Sequence, residues 1–155
     1  MDMNPNGVAC MGPPCSSWGL PARGTSQRTV MNIYGNIFSH WVRSNTAIVS
    51  RAVLLILVLL ANNCLFILEQ PRQSLLSSHR RFNWLVNYVA YVCSSTFWMQ
   101  KHGHPSPKPT VCYSNMPEIY KLDLGKLTKV ERLENTTLKT TRLFDEFYWL
   151  FGVGA

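Results

Sequence analysis

Residues 52–68 run for seventeen positions without a charge. As one helix they would extend about 26 Å at ~1.5 Å per residue, close to the ~30 Å of a bilayer's hydrocarbon core. The first ten, 52–61, are all apolar and leave no polar face. Asn62-Asn63 then interrupts the run, a pair suited to ending a helix. Residues 64–68 follow as a short apolar run of strand length, closed by Glu69-Gln70-Pro71. Two architectures satisfy this pattern. One is a single-pass membrane helix over about residues 47–68, with Arg51 snorkelling towards the interface. The other is a buried helix from about 36 to 62 that hands over to a strand.

The rest of the chain favours the second. Residues 7–12 form an apolar run stopped by Pro13-Pro14, which reads as a buried strand ending at a turn. Residues 13–35 are rich in Pro, Gly, Ser and Thr and read as a long loop. Phe82, Leu85, Val86, Val89 and Ala90 follow a three-four-three spacing, so an amphipathic helix is expected over about 79–92. Short strands are expected at 96–99 and 110–113, with a Gly/His/Pro/Ser/Lys loop between them, and a helix from Met116. The alternation of strands and helices implies an α/β fold with a small, mostly parallel open sheet of about four strands. Residues 1–130 would form this domain, and 131–155, which include the sequon at Asn135, a tail of unassigned structure.

Charge is unevenly spread. Residues 1–117 carry nine Lys/Arg against Asp2 and Glu69, whereas 118–155 carry six of each sign, so the whole net charge of +7 lies in the first three quarters. A basic segment rich in aromatics suits an anionic partner, either nucleic acid or a lipid surface. Charged residues are only 15% of the chain, below the ~25% usual in soluble domains. Five cysteines, an odd count with no CxxC pair, argue against a disulfide scaffold or zinc ribbon and fit a reducing compartment. No uninterrupted apolar segment of signal-peptide type occurs in the first thirty residues.

The chemistry-bearing residues stand at the expected strand ends. The first strand ends in Gly12-Pro13-Pro14-Cys15 and a later one in Glu69-Gln70-Pro71. Glu69 is the only acid between residues 3 and 117. A carboxyl behind an apolar strand is costly unless paired or used. These segments resemble those of DNA cytosine-5 methyltransferases, which present a nucleophilic cysteine in a G-x-P-C loop and a glutamate at the end of the next strand. The loop continuing through Trp18, Arg23-Gly24-Thr25 and Arg28, with Leu68-Glu69-Gln70-Pro71, Ser106-Pro107-Lys108-Pro109-Thr110 and Tyr113-Ser114-Asn115, is also similar to a group of uncharacterised dinoflagellate proteins.

The methyltransferase resemblance implies a partial Rossmann-like fold and a division of labour. Cys15 would add to C6 of an extruded cytosine, and Glu69 would hold the N3/N4 edge of the ring. Arg23 and Arg28, in the long loop, are the residues expected to contact nucleic acid. The family's methyl-donor site uses a glycine-rich turn upstream of the cysteine loop. Cys15 stands so early here that the expectation is an incomplete, non-methylating domain, for which S-adenosylmethionine is a cofactor only if further sequence completes it. His102-Gly103-His104, with Cys112 or His79, is a poor metal template, and no metal site is expected. Three functions remain in view: a non-catalytic methyltransferase-like domain, a single-pass membrane protein, and a basic nucleic-acid-binding module.

Overall fold

In the computed structural model, which describes residues 7–89 and 91–128, strand β1 (Val8–Met11) reaches its neighbour β2 (Leu65–Pro71) by way of a 22-residue helix. A one-turn helix, α1 (Arg23–Ser26), lies in the intervening loop, and the long helix is α2 (His40–Ala61). After β2 come a 3-10 turn (Leu75–Ser78), helix α3 (Arg80–Trp84) continued by a π-helical turn (Leu85–Val89), strands β3 (Cys93–Trp98) and β4 (Pro109–Ser114), and a 3-10 turn (Pro117–Leu122). Residues 131–155 lie outside the described residues.

The apolar run of 52–68 is divided where the asparagines stand. Asn63 adopts a left-handed conformation, φ 54°. The Cys64 amide donates to the Leu59 carbonyl at 2.9 Å and the Asn63 amide to the Leu60 carbonyl at 3.1 Å. This is the paired closure by which a helix satisfies its last carbonyls, and the accompanying contact is supplied by Leu59 and Cys64, both buried. A continuous helix over 47–68 is therefore replaced by a helix ending at Ala61 and a strand beginning at Leu65. That strand pairs in parallel with β1, Val8 opposite Leu65 through Met11 opposite Leu68.

The sheet order is β1-β2-β4-β3. β1 and β2 are parallel, but β4 is antiparallel to both β2 and β3. The expected mostly parallel sheet is thus a mixed one. The reason is the connection over residues 99–108, which holds only a short 3-10 turn. A parallel return needs a crossover of a dozen or more residues, usually helical, whereas a shorter link gives a hairpin.

Both faces of the sheet are covered. On one face Val42, Val49, Val53, Ile56 and Leu59, a helical stripe of α2, are buried; the last four pack with Phe66 and Leu68 of β2 and with Phe82 and Leu85. On the other, Ile67 and Cys112 pack with Phe97, Met99, Ile119 and Leu122, the last two from the final 3-10 turn. β2 is consequently buried on both sides, and its neighbouring residues alternate between two distinct interiors.

Candidate functional site at the carboxyl ends of the first two strands

Parallel pairing carries the loop after β1 and the end of β2 to one rim of the sheet, where open α/β sheets bind ligands. The hairpin adds the end of β3 and the start of β4 to the same rim. Four segments converge there: Gly12-Pro13-Pro14-Cys15, Glu69-Gln70-Pro71, Trp98-Met99, and Lys108-Pro109.

The cysteine loop is anchored from the end of β2. Gln70, buried, donates from Nε2 to the Pro13 carbonyl at 2.7 Å, while its Oε1 accepts from Ser74 Oγ at 2.9 Å. The Trp18 and Gly19 amides both donate to the Cys15 carbonyl at 3.0 Å, and the Leu75 amide to the Trp18 carbonyl at 3.0 Å. Cys15 is thereby held in a tight turn, half-buried, at the mouth of the rim.

Glu69 leaves the sheet on the face opposite Gln70, as strand alternation requires. Its carboxylate accepts from Lys108 Nζ at 3.4 Å, and both side chains are mostly buried, at 19% and 32% exposure. It faces Cys112, its cross-strand partner. Burial, with Glu69 and Cys10 beside it, pushes the Cys112 thiol well up, so that thiol stays protonated and unreactive. The structure thus brings the two predicted segments to one rim, but ties them through Gln70 and not through Glu69. Glu69 is engaged instead by Lys108, a residue that sequence reading did not assign to the site. Its signal was present: a lysine at the start of the last strand, in a sequence with one acid over more than a hundred positions.

Of the two arginines expected to face nucleic acid, Arg23 is exposed on α1. Arg28 is a correction. It is fully buried, donating from Nη1 to the Ile33 carbonyl (2.6 Å) and from Nη2 to the Val42 carbonyl and Thr46 Oγ1 (both 2.9 Å), with its guanidinium 3.6 Å above the centre of the Trp18 ring. Nη1 and Nη2 are bonded within the protein and Nε is buried without a partner among the described residues, so the side chain anchors the long loop to α2 and its guanidinium is closed off from a phosphate at the surface. Exposed cations that sequence reading passed over are Arg80 and Arg81. They follow His79, whose ring packs edge-on against Trp18, the loop tryptophan, at 5.7 Å. Trp84, Tyr88 and Tyr91 are exposed, whereas Phe82 and Phe97 are core residues.

The histidine pair in the 99–108 connection serves the fold. His102 Nε2 bonds the Leu122 carbonyl at 2.9 Å, and His104 Nδ1 accepts from the Ser106 amide at 2.9 Å. Among the described residues no group of three His, Cys, Asp or Glu side chains is placed to hold a metal ion. In the loop after β1, Pro13 and Pro14 carry no N–H, and the Trp18 and Gly19 amides are already bonded to the Cys15 carbonyl.

Replacing Gln70 by Leu removes the anchor and strands the Pro13 carbonyl. The expected result is a loss of about 1–3 kcal/mol, read from urea midpoints, together with faster alkylation of Cys15 by iodoacetamide as its loop loosens. An unchanged midpoint and an unchanged alkylation rate would remove Gln70 from this role. In comparisons with known proteins, no family model, no curated protein and no solved structure matches the chain.

Proposed function

We propose that this chain is a nucleic-acid-binding element related in plan to the base-holding half of a DNA cytosine-5 methyltransferase, without methyl transfer of its own. The observation that carries the reading is the parallel β1–α2–β2 unit with the Gln70–Pro13 hydrogen bond, which sets the GPPC loop beside the EQP segment. In this reading Glu69, steadied by Lys108, meets the polar edge of a base, and Cys15 lines the opposite wall of the rim. Arg23, Arg80 and Arg81 are exposed cations for the phosphate backbone, and no acid interrupts residues 3–68.

The test is binding to a fluorescent cytosine-containing single strand and to the matching duplex. Phosphate contacts release counterions, so the logarithm of affinity should fall with the logarithm of salt by ~0.7 per contact on single strands. Arg80→Ala together with Arg81→Ala should flatten that slope by about one to two contacts. Glu69→Gln should narrow the preference for cytosine over thymine while leaving the slope alone. Absence of salt-dependent binding would defeat the proposal. Methyl incorporation by the chain alone, lost in Cys15→Ala, would overturn the non-methylating part.

A further inference from the structure

The outward face of α2 is not that of a helix covered by a sheet on one side and water on the other. Its inner stripe is committed to the core, and the strand β2 begins only a few residues after its end. Its outer face nevertheless presents Leu54 (54% exposed), Leu55 and Val58 (49%) in its last turns, with no acid anywhere on the helix. The turn leading into it exposes Ile37 and Phe38 (89%), and Trp41 stands in its first turn. Arg43 and Arg51 are exposed on the helical face that also carries Ala47, Leu54 and Val58, and lie along the helix between the two apolar groups.

We infer that this face docks on an anionic membrane surface, with α2 lying among the headgroups. The helix is long and apolar enough to cross a membrane, but a crossing would strip Val49, Val53, Ile56 and Leu59 from the sheet and pull β2 away from β1. Lying flat keeps every inner contact and buries only the outer side chains. Arginines amid apolar residues reach lipid phosphates by extending their stems along the apolar surface. Charge selects the occupant. Residues 3–68 contain cations and no acid. A second copy would therefore press Arg43 and Arg51 against a like-charged surface, whereas phosphatidylserine supplies the complementary sign.

The full chain is floated with vesicles of phosphatidylcholine alone, or with about one-third phosphatidylserine. Partition onto the anionic vesicles is expected to be ~10-fold or more above neutral ones, and to weaken as salt is added. Phe38→Ser combined with Leu54→Ser should lower it by a further ~10-fold, with an unchanged urea midpoint because both side chains are exposed. Arg43→Gln with Arg51→Gln should abolish the preference for the anionic lipid. The inference fails if no vesicle is bound, or if the face variants bind as the parent does. It fails equally if the bound chain resists salt and carbonate extraction as a spanning helix would. A dimer in solution that the face variants dissolve would assign the face to a second copy.

Discussion

An Arg28→Met variant is expected to lose about 3–5 kcal/mol of folding stability, a large share of the ~5–15 kcal/mol typical of a domain. The side chain is fully buried, and the stretch of chain around it, residues 3–68, has no carboxylate to offer. Burial lowers the guanidinium to about 10, which still leaves it charged at neutral pH. Its charge is met by two carbonyls, one hydroxyl and the face of Trp18. Charge-assisted hydrogen bonds contribute about 1.5–3 kcal/mol each and a desolvated cation–π contact about 2 kcal/mol, against a desolvation cost of several kcal/mol. Methionine fills most of the volume but abandons the Ile33 and Val42 carbonyls and lets the long loop part from α2. Arg28→Lys keeps the charge but loses the planar fork, so its loss should fall between. Urea denaturation of the three proteins decides the matter. A methionine variant within about 0.5 kcal/mol of the parent would show that the loop is held by something else.

The second large effect is a loss of stability in acid that traces to His79. This ring is buried between Trp18 and Tyr34, with both nitrogens lacking a hydrogen-bond partner. Burial, with the charges of Arg28 and Arg81 nearby, pulls it down to about 4 from an ordinary 6.5. The folded chain thus refuses a proton that the unfolded chain accepts. Above the unfolded value both states are neutral and stability is complete. As pH falls from about 6.5 to about 4 the unfolded state gains the proton alone, and stability drops by up to ~1.4 kcal/mol per pH unit, roughly 3 kcal/mol in all. Below the folded value the loss levels off. His79→Phe keeps an aromatic edge against Trp18 and should remove this part of the pH dependence. Urea midpoints taken from pH 7.5 to 4 test it: parallel curves for parent and variant would exonerate His79.

How much of this was legible in the sequence depends on what each residue answers to. β1, α2 and the start of β2 could be placed because their limits are local: prolines close the first strand and paired asparagines the helix. β2 runs past its expected end at residue 68, since Glu69, Gln70 and Pro71 continue the strand by pairing with β4. The mixed sheet was legible, although the expectation was a mostly parallel one: the link between the strands expected at 96–99 and 110–113 is too short to carry a helix back across the sheet, which already implies a hairpin. Glu69 drew attention as a solitary acid, yet Gln70 holds the cysteine loop. Adjacent strand residues face opposite sides, and a strand buried on both sides gives no polar alternation to tell which side the loop is on. Arg28 looked like a surface cation because it stands among Gly, Ser, Thr and Gln. Its burial is decided by carbonyl and hydroxyl acceptors on α2, 14 and 18 residues further along.

The insertion of β4 between β2 and β3 has a consequence for biogenesis. While the chain is being made, β2 can join β1 as soon as residue 71 has emerged, but its other edge stays open until residues 109–114 follow. That edge belongs to Phe66, Ile67 and Leu68, three buried apolar residues in a row, and an unsealed edge of this kind templates pairing with any neighbouring nascent chain. The nascent chain is therefore most exposed to aggregation over those forty or so residues of translation, and the hairpin that returns β4 is the step that ends the hazard.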